Sequence, residues 1–407
     1  MARPSTTTRQ IAFINAAHTA THYSLLILAT AVLSMVQQEG SPFGRDYGPV
    51  LALGTAMFVL YGVGALPMGW LAERVGRQRL MLGFFLGTGG CMAAAGLTNS
   101  PFWLAAALGG MGSFAAIYHP IGTAMLVEAA GDKVGRAVGL NGVFGNLGVA
   151  TAPVATAFLA QAAGWRWAFI VPGLLCVVIG LFYAREAPVD MTAGRGPARP
   201  FPPIPPAIVR RAVVVLMAIA AASGLVFNAF TLLLPKLMEE RLAMAPGLLP
   251  IIGGLAFLAT LCGGLTQFTV GRMIDRLTLR RVFLPLAVAQ MPLMLALSFA
   301  QGPVVLPLAA ALAASIFGQV TVNETMTARY IAPALRVRLY SWRFFIGFLG
   351  AAAAAPLVGA LHKATGNLAA ALLVLAGFSA VTLVCALFFP DRREELQPHL
   401  WGAAPAE

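Results

Sequence analysis

The feature that most constrains this chain is a succession of twelve long apolar runs separated by short polar or charged segments. A helix needs about 20 mostly apolar residues to cross the hydrocarbon core of a bilayer. Backbone groups inside lipid must pair within the protein, and single runs of this length do so as helices. The predicted transmembrane helices cover residues 10–37, 48–72, 78–98, 102–128, 135–161, 166–185, 209–235, 246–273, 281–300, 303–330, 337–361 and 367–389.

The scarcity and placement of charge support the same assignment. Only 10% of the residues are charged, against about 25% in a soluble domain, which excludes cytosolic enzymes, nucleic-acid-binding proteins and disordered chains. The net charge is +12, but the basic residues lie mainly in alternate loops, which is the signal that sets membrane orientation. If the N-terminus lies in the cytoplasm, 22 of the 27 Lys and Arg residues lie on the cytoplasmic side. The other five are Arg45, Arg166, Lys236, Arg241 and Lys363.

An even number of crossings then places both termini in the cytoplasm, and we expect a multi-pass protein of the bacterial inner membrane. The four cysteines lie singly in apolar runs, so neither a disulfide framework nor a zinc site is expected. The sequence has no phosphate-binding loop, HExxH or GxSxG motif. We therefore expect a protein that is not an enzyme, has no cofactor and uses an ion or substrate gradient. The first run lacks a cleavage site and is predicted to be a retained helix.

A proline-rich stretch divides the chain into two halves. Six prolines lie between Pro197 and Pro206, and proline disfavours helix and favours an extended linker. The predicted division is a six-helix bundle at 1–185, a cytoplasmic linker at 186–208, a second bundle at 209–390 and a cytoplasmic tail at 391–407. The alternative is a disordered insertion without architectural meaning.

The two halves also match each other in sequence. A shift of 202 residues aligns Gly69 with Gly271, Glu73 with Asp275, Arg74 with Arg276, Arg136 with Arg338, Gly145 with Gly347 and Gly148 with Gly350. Parallel repeats of this kind occur in transporters whose substrate site lies at the midplane between the halves. The sequence therefore predicts an all-α membrane protein of two pseudo-symmetric six-helix bundles.

The loop after the second run carries a family resemblance. The segment GWLAERVGRQR, which begins at Gly69, resembles the G-x-L-a-D-R-x-G-R-R signature of the major facilitator superfamily, and GRMIDR at Gly271 is a partial copy. An acid at a helix end can cap a neighbouring helix, and arginines can bind helix ends or lipid phosphates. The expected gating residues are Gly69, Glu73, Arg74, Arg77, Asp275 and Arg276. Glu73 replaces the aspartate usual in the family.

A second resemblance lies in the fourth and fifth runs. The GMGS segment at Gly110, the YHP segment at Tyr118 and the GVFGNLG segment at Gly142 resemble the fosmidomycin-resistance branch of drug exporters. That branch implies proton-driven export of a small anionic or amphiphilic compound. The IGT that follows His119-Pro120 departs from the branch, which tends to carry an acid there. The full fifth-span motif of proton antiporters is also missing, so the resemblance supports transport more firmly than antiport.

Three histidines form the first candidate site. His18 and His22 are spaced i,i+4 on one face of the first predicted helix, with Tyr23 adjacent, and His119 lies at comparable depth in the fourth. Ionisable groups inside a membrane are costly and mark functional sites. The resemblance implies that both helices line the central cavity, where the imidazoles would bind substrate or protons. The alternative is that each imidazole donates to a backbone carbonyl, with His119 satisfying the carbonyl freed by Pro120.

A carboxylate and an arginine form the second candidate site. Glu324 in the tenth predicted helix and Arg343 in the eleventh lie at about the same depth, where neither would be tolerated alone. Glu324, with Gln319 and Asn323 nearby, is the best candidate for a proton carrier, and Arg343 could hold an anionic substrate. A permanent structural ion pair is an equal alternative.

Several other polar residues are candidates with a stronger structural alternative. Asn141 and Asn228 are assigned to substrate binding, and Asn146 could join them, although hydrogen bonding between helices explains all three. Glu128, Asp132 and Lys133 lie at the mouth between the fourth and fifth helices, as a gate, as partners of the Glu73 loop or as a solvated turn.

These observations predict a secondary active transporter that moves a small organic compound by alternating access, as proton-coupled efflux. Its partners would be the substrate, protons and membrane lipid, without nucleic acid, and we expect a monomer. One alternative is a copper-like transition-metal carrier that uses His18 and His22, since a copper-importing branch of the superfamily has Met and His pairs at this spacing. That branch's pairs in the seventh and eighth helices have no counterpart here. Another alternative is a membrane scaffold or sensor that transports nothing.

Overall fold

The computed structural model describes residues 6–130, 134–186, 204–242, 248–274 and 277–389. Within these ranges, twelve helical segments are long and apolar enough to cross a membrane, and no strand is present. The prediction of an all-α fold with twelve transmembrane helices is therefore confirmed. The helices are α1 Thr6–Gln37, α2 Tyr47–Ala52, α3 Thr55–Gly64, α4 Met68–Val75, α5 Arg77–Leu97, α6 Pro101–Ala115, α7 Thr123–Ala130, α8 Val134–Ala163, α9 Trp165–Tyr183, α10 Pro206–Arg241, α11 Leu249–Ile274, α12 Leu279–Phe299, α13 Val305–Tyr330, α14 Pro333–Thr365 and α15 Ala369–Leu387.

Two crossings that the sequence predicts as single helices are interrupted. The second consists of α2, α3 and α4, with breaks at Gly54 and at Pro67, which precede α3 and α4. The fourth consists of α6 and α7 joined by a π-helical turn at Tyr118–Gly122 that contains Pro120. Proline has no backbone N–H and its ring crowds the preceding turn. Pro153 and Pro235 nevertheless lie inside continuous α-helices, whereas at Pro120 the backbone takes the wider π form. Such π turns are often found at functional sites.

Two of the helices that begin earlier than predicted begin at proline. The seventh crossing starts at Pro206 rather than 209, and the eleventh starts at Pro333 rather than 337. Proline is tolerated in the first helical turn, where its missing N–H has no partner in any case. The predicted linker therefore ends by residue 205, while its residues 187–203 and the predicted tail at 391–407 lie outside the described residues.

Repeated glycines pack equivalent helices together in the two halves. Gly148 of α8 lies against the Thr19 carbonyl of α1, and Gly350 of α14 lies against the Ala221 carbonyl of α10. The same shift of 202 residues relates Gly148 to Gly350 and Thr19 to Ala221. The internal repeat is thus a repeat of packing, in which a missing side chain lets two backbones approach closely.

The halves contact each other mainly at one end of the molecule. We call the end that holds the start of α1 and the end of α15 the terminal face. The other end, where the halves meet, is called the opposite face. At the opposite face, Gly48 of α2 and Gly359 of α14 pack backbone against backbone, and Gly253 of α11 packs on Pro153 of α8. Between described residues of the two halves, the hydrogen bond nearest the terminal face joins Asn146 to Gln267. Gln267 is seven residues before the end of α11, or about 10 Å inside that face.

Large apolar side chains cover the perimeter. Leu97, Phe102 and Phe299 are between 69% and 73% exposed. A soluble monomer rarely exposes extensive apolar surface, whereas a lipid-facing surface requires it. The perimeter of the described helices is therefore suited to contact with lipid.

Candidate functional site

The three imidazoles predicted from the sequence meet in one cluster. His22 Nε2 lies 3.2 Å from His18 Nε2, and the ring centroid of His119 lies 5.3 Å from that of His18 and 5.5 Å from that of His22. One ring nitrogen from each of the three lies within 4.8 Å of the other two. All three side chains are half-buried. We call His18, His22 and His119 the imidazole cluster.

A hydrogen-bond network orients His18. Its Nδ1 lies 2.7 Å from the backbone oxygen of Asn141, and since a carbonyl can only accept, Nδ1 carries the proton. The Asn141 side chain is held in turn, because its Nδ2 donates to Asn15 Oδ1 and its Oδ1 accepts from the Tyr118 hydroxyl. Gly145 leaves room for the His18 ring, since a Cβ there would lie 2.5 Å from Cε1. The remaining nitrogen of His18, Nε2, therefore points its lone pair into the cluster.

The second half of the protein covers the cluster. Phe344 of α14 stacks on His119, with ring centroids 4.9 Å apart and planes inclined by 26°. One helical turn further along α14, Phe348 contacts the ring of Tyr61 at 4.3 Å between centroids. The imidazole cluster thus belongs to the N-terminal half but lies at the junction with the C-terminal half.

His119 does not donate to the backbone carbonyl that Pro120 leaves without a partner, which was the alternative to a functional role. Among the described residues neither ring nitrogen of His119 has a hydrogen-bond partner, although the ring contacts His18, His22, Tyr118 and Phe344. The π turn accommodates the proline by changing the backbone instead. The His119 nitrogens are therefore available to a ligand.

Glu324 and Arg343 form an ion pair, as their depth predicts. Arg343 Nη2 lies 3.2 Å from Glu324 Oε1, and Arg343 Nη1 donates to Thr327 Oγ1 at 2.7 Å. The Arg343 side chain is 12% exposed and the Glu324 side chain 45% exposed. Glu324 therefore has one shielded partner and remains accessible on its other side.

The exposed side of Glu324 belongs to an inward face of α13. Phe317 is seven residues earlier on the same helix and so shares a face with Glu324. The Phe317 ring contacts Phe227 of α10 at 4.9 Å between centroids and packs on Gly263 of α11. Glu324 thus lies on the side of α13 that points into the C-terminal bundle rather than on the perimeter. It is two helical turns closer to the terminal face than Phe317.

The amide side chains have separate roles. Asn228 Nδ2 donates to the Gly224 carbonyl of its own helix at 2.8 Å, so it satisfies α10 and does not join neighbouring helices. Asn146 of α8 bonds to Gln267 of α11 across the halves. Asn323 is buried, and its Oδ1 has no hydrogen-bond partner within the described chain. Only Asn141 joins the imidazole cluster, through its backbone oxygen.

In the predicted gating loop, Glu128 makes one of the contacts that the sequence offered for it, whereas Glu73 caps no helix among the described residues. Glu73 is exposed and, within the described ranges, makes no hydrogen bond or ion pair. The acid that holds this loop is Glu128 at the end of α7, which pairs with Arg77. Gly69 has open space around it, and the Arg74 guanidinium stacks 4.0 Å above the Trp70 ring. Helix α4 ends at Val75, so Glu73 turns toward solvent rather than toward a neighbouring helix end. Asp275, Arg276, Asp132 and Lys133 lie outside the described residues.

The structure adds three residues to the surroundings of the imidazole cluster and does not place the Tyr23 ring beside it. Tyr23 makes no ring contact with the imidazoles in the described part of the chain, whereas Tyr118 stacks on His18 at 4.8 Å between centroids. Asn15 precedes His18 by three residues and so shares its helix face, a signal that was available. Phe344 carried no such signal, because its contact with the imidazole cluster joins the two halves.

Comparisons with known sequences agree with this architecture. Residues 14–264 match the sequence model of the family described as the Major Facilitator Superfamily. Over 261 residues the chain is 26% identical to multidrug resistance protein MdtG of Yersinia enterocolitica, a match that covers 60% of each protein. Over 176 residues it is 29% identical to the multidrug resistance protein B homolog of Mycobacterium tuberculosis, covering 40% of this chain and 32% of that protein. The chain thus spans between a third and three fifths of the length of these relatives.

Solved structures share the fold. A bacterial homolog to the human lysosomal transporter Spinster, crystallised in an inward-facing and unoccupied conformation, superimposes with a TM-score of 0.67. The match covers 100% of both chains at 13% sequence identity. At that identity the likeness concerns the fold alone.

Proposed function

The chain belongs to the Major Facilitator Superfamily, and from this premise we propose that it is a proton-coupled secondary transporter that exports a small organic compound. That it is a multi-pass membrane transporter follows from the family and from the twelve crossings. The coupling ion, the direction and the substrate class are the proposed part. The observation that carries the proposal is the half-exposed carboxylate of Glu324, paired with Arg343 on an inward helix face.

The contacts between the halves support alternating access. Close packing joins the halves at the opposite face, as at Gly48 and Gly359, while the Glu324 carboxylate is accessible nearer the terminal face. This is the arrangement of one end state of a two-bundle transporter, closed on one side of the membrane. Rocking of the halves would separate the opposite face and bring the terminal face together around the same central residues.

The proton is assigned to Glu324 because its ion pair changes with protonation. An ionised Glu324 binds Arg343, whereas a protonated one loses the charge that holds the pair. A proton drives the cycle only if the two end states bind it with different affinity. The separation of the halves would change how far Glu324 is exposed, and thus its affinity for the proton.

Export requires that the proton and the substrate exclude each other. Ionised Glu324 can bind a cationic or hydrogen-bond-donating group of an amphiphilic compound, and protonation removes its negative charge and turns one of its oxygens into a donor. A compound held by its own anionic group on Arg343 would instead favour protonated Glu324 and travel with the proton. Two relatives are named multidrug resistance proteins, which supports the first arrangement, whereas a putative glycerol-3-phosphate transporter of Arabidopsis thaliana, 28% identical over 185 residues, is named for an anionic compound. The side on which the substrate accumulates decides between the two arrangements.

The test uses the full chain in proteoliposomes. A growth screen of a deletion strain against toxic compounds selects the substrate, and accumulation is then measured under a gradient of one pH unit. One unit supplies about 1.4 kcal/mol per proton, enough for about tenfold accumulation. We expect the substrate to accumulate on the acidic side. Accumulation on the alkaline side would show co-transport and refute export by exchange.

Substitution of Glu324 separates a coupling role from a structural one. We expect Glu324→Gln to abolish accumulation under the gradient while preserving exchange of labelled for unlabelled substrate without a gradient. The control is Glu186→Gln, which removes a carboxylate that pairs with Arg9 at 2.9 Å, outside the centre of the bundle. If Glu324→Gln still accumulates substrate, or loses exchange as well, the coupling role is wrong.

We also propose that the terminal face is cytoplasmic and that the membrane is the bacterial inner membrane. The excess of Lys and Arg in loops on the side of the N-terminus supports this orientation. A reporter enzyme that is active only outside the cytoplasm, fused after the C-terminus, should remain inactive. Activity of that fusion would reverse the orientation.

A further inference from the structure

We propose that the imidazole cluster of His18, His22 and His119 binds one transition-metal ion through three ring nitrogens, with preference for monovalent copper over zinc. This site goes beyond the proposed transport function and does not depend on it.

The nitrogen atoms are spaced for a shared ion. Two nitrogens bound to the same ion at 2.0–2.1 Å, with a tetrahedral or trigonal angle between them at the ion, lie about 3.3–3.6 Å apart. His18 Nε2 and His22 Nε2 are 3.2 Å apart, and the ligand atoms of all three residues lie within 4.8 Å of one another. Two imidazoles are thus already in place, and the third lies at most about 1.2 Å (4.8 Å less 3.6 Å) beyond the separation that a shared ion requires.

The tautomer of His18 suits a metal ligand. Its Nδ1–H donates to the Asn141 carbonyl at 2.7 Å, which leaves Nε2 unprotonated and directed at His22. Histidines that bind metals usually donate their other ring nitrogen to a carbonyl or carboxylate in this way. In the empty cluster His22 Nε2 donates to His18 Nε2, and in the loaded cluster the His22 proton lies on Nδ1.

The surroundings hold the cluster and limit access of water. Tyr118 stacks on His18, and Phe344 stacks on His119. The chain also provides space for the His18 ring by having no side chain at Gly145. Neither nitrogen of His119 has another partner in the described part of the chain, so binding an ion requires no existing hydrogen bond of that residue to break.

The charge of the ligands favours a monovalent ion. Within the described residues, no carboxylate or thiol lies close enough to join the three imidazoles. A bound ion therefore keeps its full charge in a site of low polarity. The free-energy cost of taking an ion out of water rises with the square of its charge, so it is about four times larger for a divalent than for a monovalent ion. Imidazole binds both copper and zinc, so charge decides between them.

The test measures metal binding directly on the full-length chain, which is purified through an affinity tag that contains no histidine. Copper(I), kept reduced without oxygen, is titrated against a coloured copper(I) chelator, and zinc against a zinc chelator. We expect one copper(I) per chain, zinc binding weaker by at least about tenfold, and X-ray absorption showing nitrogen neighbours at about 2.0 Å. Absence of stoichiometric binding of either ion overturns the proposal, and tighter binding of zinc overturns the preference for copper.

Variants identify the ligands. We expect His22→Ala to lose stoichiometric copper binding and His22→Met to retain copper but lose zinc, because a thioether suits copper(I). The matched control is His362→Ala, which removes an imidazole that pairs with Glu240 outside the cluster. If His22→Ala binds copper as the unmodified chain does, the cluster is not the site. Since these measurements involve no flux, failure here leaves the coupling role of Glu324 intact, and the reverse also holds.

Discussion

Two adjacent glycines in α11 allow closure of the opposite face to be tested by a matched pair of substitutions. A Cβ at Gly253 would lie 2.6 Å from both the Ala157 Cβ and the Pro153 carbonyl oxygen of α8, whereas a Cβ at Gly254 would meet nothing within 4 Å. Ordinary contact begins at 3.4 Å, so Gly253→Ala requires α8 and α11 to separate by about 0.8 Å (3.4 Å less 2.6 Å).

The expected energy follows from this overlap. Overpacking of a close contact costs about 1–3 kcal/mol, and the gain in helix propensity on replacing glycine by alanine is the same at both positions. Relative to Gly254→Ala, we therefore expect Gly253→Ala to disfavour the closed opposite face by about 1–3 kcal/mol. That energy changes the ratio of the two end states by about 5- to 150-fold.

The assay is a distance distribution between spin labels on the two halves at the opposite face. Labels at Arg45 and Lys363, both exposed, are introduced as cysteines after the four native cysteines are replaced. Gly253→Ala should increase the population with a long distance, and Gly254→Ala should reproduce the unmodified distribution. Identical distributions for the two variants would refute the idea that this contact closes the opposite face.

Two further pairs of variants test other contacts. Glu240 accepts hydrogen bonds from the His362 ring and from the backbone N–H of Leu368, the residue before α15. Glu240→Gln should therefore lower the free energy of unfolding by about 1.5–3 kcal/mol. Glu39→Gln, which changes an exposed carboxylate, should cost less than about 1 kcal/mol; equal losses in reversible unfolding in micelles would contradict this. Gly145→Ala should displace the His18 ring and weaken copper binding by about 10- to 100-fold. Gly142→Ala, where a Cβ has open space, should leave the copper affinity unchanged, and a similar loss in both variants would show that the imidazole position is not critical.

Predicting the site from sequence succeeded where spacing along one helix was sufficient. His18 and His22 share a helix face by their i,i+4 spacing, and Glu324 and Arg343 were expected to pair because an isolated charge is costly in a membrane. Spacing could not distinguish Tyr23 from Tyr118 as the ring beside His18, because the choice depends on how α1 is rotated against the fourth crossing. Spacing also left open whether Glu128 is a gate, a partner of the Glu73 loop or part of a solvated turn, and the structure pairs Glu128 with Arg77 of that loop.

The sequence alone determined the twelve crossings, the repeat that relates the halves and the depth of each polar residue, because hydropathy and charge are read along one helix at a time. The tertiary structure decided which residues meet. His18 and His119 are separated by a hundred positions, and Phe344 reaches His119 from the other half. Such contacts depend on helix rotation and on the approach of backbones at glycines such as Gly145. Lipid and protein interior are equally apolar, so hydropathy does not specify the rotation, which the packing of neighbouring helices must select.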